Sequence, residues 1–224
     1  MKFEEKLELL EFLSGYVTQH KLDLFEKVIR FRTRHITVVL EDLYQPHNAS
    51  AVLRTCDCFG IQDVHIIENQ NSYEINPDVA LGSSKWLDLH RYNRFDYNTT
   101  EAFDALKNKG YTIIATSPHK NDVLLEELPV EPKTALVFGS ELRGLANETI
   151  SKADGWVKIP MVGFTESLNV SVSAAVILHF LTGKLRKSDI PWALTKEERI
   201  DLKLKWIKNV VKSADLLEQK FLKK

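Results

Sequence analysis

Apolar positions along the chain follow two different periods, and together they predict an α/β protein. Residues 3–31 carry leucines and valines at helical spacing, with a break near Ser14 and Gly15, and predict an N-terminal helical segment. The uninterrupted run 36–40 (ITVVL) is typical of a strand covered on both faces. Further strands are predicted at 64–67, 111–116, 134–138 and 156–159, and helices at 48–59, 100–108, 145–153 and 168–186.

Strands that alternate with helices predict a mostly parallel sheet with helices on both faces. Pro191 and Trp192 interrupt this pattern before a separate amphipathic helix, which is predicted over 196–221. We therefore expect three parts in this chain: an N-terminal helical extension (1–34), an α/β domain (35–187) and a C-terminal helical extension (188–224).

Composition places the chain among ordinary globular proteins. Hydrophobic residues make up 44% of the 224 residues and charged residues 27%. No apolar run approaches the ~20 residues that span a bilayer, so no membrane association is expected. The acidic, helical N-terminus does not resemble a secretory signal. Cys56 and Cys58 are too close for an ordinary disulfide, and we expect buried thiols in a cytoplasmic protein.

The net charge of −1 hides an uneven distribution of basic residues. From Lys184 onward 12 basic residues stand against 6 acidic ones, and a second basic cluster occupies 27–35. Such segregation gives a nearly neutral protein a phosphate-binding face, although solvated helix surfaces produce the same pattern. The candidate nucleic-acid contacts in these two segments are Arg30, Arg32, Arg34, Lys203, Lys205 and Lys208.

Three loops that follow predicted strands are richer in polar residues than a bare connection requires. The first, 45–55, contains Asn48 as a candidate helix cap, and Arg54 would lie roughly 9 Å further along the helix. Helical side chains lean toward the N-terminus, so Arg54 could hold a phosphate near the amide-rich helix start. A surface arginine behind an ordinary cap remains the structural alternative.

The second and third loops supply close-approach glycines and capping residues. Gly139 and Gly144 in 138–145 allow tight turns and a nearby ligand. The third loop, 159–173, reaches a helix through Ser167 and Asn169, and polar groups between a strand and a helix often form a ligand site. No Lys-Ser/Thr follows Gly144 and no G-x-G-x-x-G follows a strand, which argues against nucleotide hydrolysis and dinucleotide redox chemistry. No metal-ligand spacing is present, and no metal is expected.

In this order the loops resemble the three signature motifs of the SPOUT superfamily of RNA methyltransferases, and within it those of SpoU/TrmH-type 2′-O-ribose methyltransferases. Asn48 and Arg54 match the first motif, 139–145 the second and 159–171 the third. The resemblance covers about residues 36–187. The segment 82–87 (GSSKWL) and the flanking helices resemble the tRNA guanosine-2′-O-methyltransferase branch more than the ribosomal-RNA branch.

The resemblance implies a fold, a cofactor and a reaction. The C-terminal part of the sheet would form a deep trefoil knot that binds S-adenosylmethionine, and a homodimer would hold tRNA across both subunits. The implied reaction is 2′-O-methylation of a ribose in tRNA, with the D-loop guanosine at position 18 as the expected target. Cofactor contacts carry over to Thr116, Gly139, Ile159 and Leu168.

The resemblance also implies catalytic roles. Arg54 would activate the ribose hydroxyl, either as a base or by electrostatic stabilisation, because a guanidinium does not give up its proton readily. Asn48, Glu141, Ser167 and Asn169 would orient Arg54, the ribose and the methionine part of the cofactor. Helix caps and loop hydrogen bonds are the structural alternative for these four residues.

Two other functions remain open from the sequence. The substrate could be ribosomal RNA or another tRNA position, because the motifs do not determine which RNA is methylated. A catalytically idle RNA-binding relative is the second alternative, and such a protein should lack Arg54 or Asn169. Both residues are present.

Overall fold

The computed structural model describes residues 1–73, 82–116, 123–140 and 143–223. The chain divides into two compact units, one formed by Met1–Arg32 with Ala193–Lys224 and the other by Thr33–Trp192. Most residues of the N- and C-terminal extensions fall in the first of these units. The observed limits of the central unit lie two and five residues from the predicted ones.

The described residues contain these helices in chain order: α1 (Phe3–Ser14), α2 (Gln19–Ile29), α3 (Pro46–Phe59), α4 (Thr99–Asn108), α5 (Asn147–Lys152), α6 (Val170–Arg186), α7 (Lys196–Val210) and α8 (Ala214–Leu222). None of them is long and apolar enough to cross a membrane. The predicted break near Ser14 is confirmed. The single helix predicted over 196–221 is wrong, because Ser213 adopts a left-handed φ of 55° and separates α7 from α8.

The central unit is built on a parallel sheet. Its strands are β1 (Ile36–Glu41), β2 (Asp63–Ile67), β3 (Asp88–Tyr92), β4 (Thr112–Thr116), β5 (Val123–Leu124), β6 (Thr134–Phe138) and β7 (Gly155–Lys158). Their order is β3-β2-β1-β6-β4-β7-β5, and every neighbouring pair is parallel. The predicted parallel sheet is confirmed, and the trefoil knot stays a prediction.

Apolar side chains fill both faces of the sheet because successive residues of a strand point to opposite sides. Val38 and Leu40 of β1 belong to the core that contains residues of α3 and α6. Val39, between them, belongs to a second core with Phe103 and Leu106 of α4. Helices therefore cover both faces, as predicted. Because helices bury both faces of the sheet, a ligand can reach the sheet only at the strand ends, where the loops carry the polar residues.

Candidate functional site

A cleft of about 470 Å³ opens at the carboxyl ends of β4, β6 and β7. All four residues predicted to bind a cofactor, Thr116, Gly139, Ile159 and Leu168, line this cleft. The second and third loops form much of its wall, together with the first turns of α6. The structure thus brings together residues that the sequence separates by more than 50 positions.

The second loop turns back on itself beside the cleft. Ser140 and Gly144 form an antiparallel bridge with backbone N···O distances of 3.0 and 2.9 Å. Gly144 has a φ of +66°, and a Cβ on Gly139 would overlap backbone atoms of Gly144 and Leu145. Both positions therefore need glycine: Gly144 for its left-handed backbone, and Gly139 because the returning chain leaves no room for a side chain. Glu141, predicted to be catalytic, lies outside the described residues.

Asn169 fixes the third loop at the start of α6. Its Oδ1 accepts hydrogen bonds from Ser171 N at 2.8 Å and from Ser171 Oγ at 2.6 Å. Its Nδ2 donates to Asn48 Oδ1 at 3.2 Å. One side chain therefore caps α6 and joins the first loop to the third, and both Asn169 and Ser167 line the cleft.

The helix that follows the first loop begins two residues earlier than predicted. Helix α3 begins at Pro46, so Asn48 is not the cap but lies in the first turn, where its Nδ2 donates to Gln45 Oε1 at 3.3 Å. Proline suits the first helical position because it lacks the N–H that a helix start leaves unpaired. Arg54 lies about 12 Å from this start. Its side chain is exposed and hydrogen-bonds to no residue that the structure describes.

Sequence analysis did not single out the two acidic residues at the end of β1. Glu41 is 1% exposed and accepts hydrogen bonds from Thr99 Oγ1 at 3.0 Å, from Ala146 N at 3.0 Å and from Thr149 Oγ1. This buried carboxylate ties the end of the second loop to β1. Acidic residues directly after an apolar strand were the available signal, because a charge buried at such a place needs hydrogen-bond partners.

Two of the six residues predicted to contact RNA, Arg32 and Arg34, have other roles in the structure. Arg32 is 1% exposed and its guanidinium lies 5.4 Å from the ring centroid of Trp206, so it belongs to the core of the terminal unit. Arg34 forms ion pairs with Asp63 at 2.8 Å and with Asp88 at 2.5 Å. Arg32 is therefore part of a core, and the Arg34 guanidinium already binds two carboxylates. We do not retain either residue as a surface contact to RNA.

The remaining predicted RNA contacts are closer to solvent. Arg30 is exposed, while Lys203 pairs with Glu26 at 2.7 Å and Lys208 with Glu218 at 2.6 Å. Lys205 lines a groove of the terminal unit that also contains Lys208. Surface ion pairs are worth only about 0–1 kcal/mol, so these lysines can exchange a carboxylate for a phosphate.

The parallel sheet and its cleft define the central unit as a ligand-binding α/β domain whose site lies beyond the carboxyl ends of the strands. A sequence profile described as the SpoU rRNA Methylase family matches residues 35–179, and the chain belongs to this family. The resemblance inferred from the three motifs is thereby confirmed.

Individual relatives extend the similarity beyond the central unit. A tRNA (guanosine(18)-2′-O)-methyltransferase of Borreliella burgdorferi is 43% identical over 215 residues, which is 96% of this chain and 97% of that protein. The protein of the same name from Thermus thermophilus is 39% identical over 161 residues, 72% and 81% of the two chains. The crystal structure of the A. aeolicus TrmH/SpoU tRNA modifying enzyme is 30% identical, with a TM-score of 0.76 over 87% of this chain and 98% of that one.

Proposed function

We propose that this protein transfers a methyl group from S-adenosylmethionine to a ribose 2′-hydroxyl of tRNA, at the D-loop guanosine 18, in the cytoplasm. The observation that carries the proposal is the joining of Asn48 to Asn169 at the cleft, because it assembles the first and third family motifs around one site. The relatives named for this reaction, which match most of both chains, support the choice of tRNA and of the guanosine.

The cleft suits this cofactor in size and chemistry. Its volume of about 470 Å³ lies within the range of small-molecule sites, about 300–1,000 Å³. Among its described lining residues only Lys158 and Glu166 are charged, and the tight turn at Gly139 and Gly144 brings backbone groups to its surface. Thr116, Ile159 and Leu168 would hold the cofactor with them. Calorimetry with a chelator present should detect binding, and an absence of heat up to millimolar cofactor would contradict the assignment.

When bound, S-adenosylmethionine supplies a methyl group on a sulfonium sulfur, which is a good leaving group. The chain must then make a weak nucleophile, the ribose hydroxyl, more reactive. The exposed Arg54 guanidinium would stabilise the negative charge that develops on the hydroxyl oxygen as the hydroxyl proton passes to solvent and the methyl group leaves sulfur. Asn48 orients the helix that carries Arg54, and Ser167 and Asn169 border the cofactor cleft. Glu141 remains a predicted member of this group.

A homodimer is part of the proposal. The third loop exposes Val162 and Phe164 almost completely (103% and 109%), and Val172 and Val176 of α6 are 45% and 38% exposed. Four large apolar side chains on one loop and its following helix are costly in water, and a second copy of this chain would cover them. Because the same loop lines the cleft, the partner would adjoin the active site.

Basic residues of the terminal unit are the proposed contacts to the tRNA backbone. We retain Arg30, Lys203, Lys205 and Lys208 and leave out Arg32 and Arg34 for the reasons given above. Contacts of this kind act through phosphates, so tRNA affinity should fall steeply with salt concentration. The cofactor affinity should not change with salt in the same way.

Mapping of 2′-O-methyl sites in total RNA, from cells with and without the gene, tests the proposal directly. Loss of methylation at guanosine 18 of tRNA alone is the expected result. Loss at a ribosomal-RNA site would instead favour the alternative that the family description suggests. An unchanged map would contradict methyltransferase activity in these cells.

A further inference from the structure

A second cavity of about 280 Å³ adjoins the cleft and shares Ser140, Gly144 and Leu145 with it. We propose that this cavity receives the base of the methylated nucleotide and selects guanine. The inference rests on the proposed function, because it concerns the nucleotide whose ribose is modified. A base held there would place its attached ribose near the wall that separates the two cavities.

Tyr44 supplies a surface on which a base can stack. It lies in the loop between β1 and α3, lines the second cavity and is 63% exposed. Proteins that recognise unpaired RNA bases commonly stack them on aromatic side chains. A largely exposed tyrosine contributes little to the core, whereas a base stacked on it would remove both flat surfaces from water.

Asp42 supplies a hydrogen-bond acceptor. The neighbouring Glu41 is buried and its oxygens already accept three hydrogen bonds, so it forms the floor of the cavity. The Asp42 carboxylate uses only Oδ1, which accepts from the backbone N–H groups of Asn69 at 2.7 Å, Gln70 at 2.8 Å and Asn71 at 3.3 Å. Its Oδ2 accepts no hydrogen bond from the residues that the structure describes, and can take one from a ligand.

Arg143 supplies donors in the same cavity. One of its guanidinium nitrogens donates to Gln70 Oε1 at 2.7 Å, which leaves several of its five N–H groups for a ligand. Guanine offers acceptors at O6 and N7 and donors at N1 and N2, whereas adenine presents a donor at N6. A carboxylate together with an arginine therefore complements guanine and opposes adenine.

Contacts within the protein hold the cavity in shape. Asp42 has a φ of +50°, an unusual value for a residue other than glycine, and its Oδ1 bonds fix the loop that carries Gln70. Gln70 in turn fixes Arg143. This chain of contacts links the end of β1 to the second loop, so acceptor and donors are positioned in advance.

The test compares single-turnover methyl transfer to tRNA transcripts that carry guanosine, inosine or adenosine at the methylated position. Inosine lacks only the 2-amino group of guanosine, so it tests whether this group donates to Asp42 Oδ2. The wild-type protein should prefer guanosine over inosine by roughly tenfold and should methylate adenosine least.

Two variants separate the contributions of the cavity. Asp42→Asn keeps the Oδ1 acceptor and tolerates the left-handed backbone, but replaces Oδ2 by a donor. It should reduce transfer to guanosine and abolish the preference over inosine. Tyr44→Ala should lower kcat/KM for all three transcripts by roughly tenfold or more, because stacking does not depend on base identity. Tyr97→Ala and Asp104→Asn, two exposed positions outside both cavities, serve as matched controls.

Calorimetry of cofactor binding and thermal melts show whether each variant is folded. Wild-type methylation of tRNA with equal rates for guanosine and inosine would overturn guanine selection. Normal activity of both variants would overturn the assignment of the cavity while leaving the proposed function intact. If the wild-type protein methylates none of the transcripts although it binds the cofactor, the proposed function fails, and the base site fails with it.

Discussion

Arg54 is the single residue on which the proposed chemistry depends most. Arg54→Ala should reduce methyl transfer by about 10²–10⁴-fold, because the charge that stabilises the developing oxyanion is removed. Arg54→Lys should fail as well, since an ammonium does not reproduce the planar guanidinium. Cofactor affinity should stay within about twofold in both variants, because Arg54 is not among the residues that line the cleft. Single-turnover assays and calorimetry measure the two quantities separately.

The control for Arg54 is Arg94→Ala, which removes another exposed arginine from the central unit. Its methyl transfer should be close to that of the wild type. Substantial turnover by Arg54→Ala or Arg54→Lys would move the activating role to another residue.

His65 makes stability depend on pH. Burial, together with the charge of nearby His90, lowers the pKa of His65 to about 3, although Asp63 acts in the opposite direction. Below pH 6.5 His65 is protonated in the unfolded chain but stays neutral in the folded protein. The free energy of unfolding therefore falls by up to ~1.4 kcal/mol for each pH unit of acidification. His65→Gln can keep a hydrogen bond to Tyr92 and does not titrate. Urea unfolding at pH 7.5 and 5.0 should therefore show a smaller loss of stability in this variant. Equal losses would contradict this assignment.

Single residues also mark the limit of prediction from sequence. Arg30 and Arg32 belong to one basic cluster and look alike there. Arg30 is exposed, whereas Arg32 is buried against Trp206, a residue 174 positions later in the chain. Only the tertiary packing of the two terminal segments separates a surface charge from a core one.

At the scale of elements, the start of α6 combines stability with function. Asn169→Ala removes the cap and the link to Asn48, and should lower the free energy of unfolding by about 1 kcal/mol and reduce methyl transfer. Asn169→Asp keeps an acceptor at the cap but cannot donate to Asn48 Oδ1. It should be as stable as the wild type and still lose activity. Denaturant unfolding and methyl transfer are measured on the same samples.

Helix α7 provides the matched control, because Thr195 caps it through a hydrogen bond from Glu198 N at 3.2 Å. Thr195→Ala should lower stability by a similar amount without a comparable loss of methyl transfer. Full activity of Asn169→Asp would show that the link between the first and third loops is not needed for catalysis.

The elements that sequence predicts well are those buried on both faces. β1, β2 and β6 are continuous runs of buried residues, and their predicted limits agree with the structure within one residue. β3 was missed because it is a polar edge strand of half-buried and exposed residues, and β5 because it has only two residues. Such strands form because they pair with a neighbouring strand, and the local sequence pattern does not show this pairing.

At the scale of the whole molecule, the three motifs could be predicted but their surroundings could not. Asn48 and Asn169 are 121 positions apart in the sequence and are hydrogen-bonded in the structure. The motifs predict these two residue types but not that the two side chains are in contact. The cavity beside the cleft was missed for the same reason. Asp42 and Tyr44 come from one loop and Arg143 from a loop about 100 residues later, and only the fold brings them into one cavity.

The exposed apolar loop predicts the oligomeric state. Phe164→Asp places a charge in the proposed contact between two copies and should convert a homodimer to a monomer. Phe95→Asp changes a phenylalanine that is 64% exposed elsewhere in the central unit, and should leave the dimer intact. Sedimentation velocity over a range of concentrations distinguishes the two species. A wild-type protein that is monomeric at all concentrations would contradict the proposed dimer.

The central claim is tested most directly by identifying the product of methyl transfer. Purified protein, S-adenosylmethionine with a labelled methyl group and an unmodified tRNA transcript are incubated with a chelator, and the RNA is digested to nucleosides for mass spectrometry. The account predicts labelled 2′-O-methylguanosine, formed at position 18 and absent when Arg54→Ala replaces the wild type. A label on a base, or no transfer by a protein that binds both the cofactor and tRNA, would contradict it.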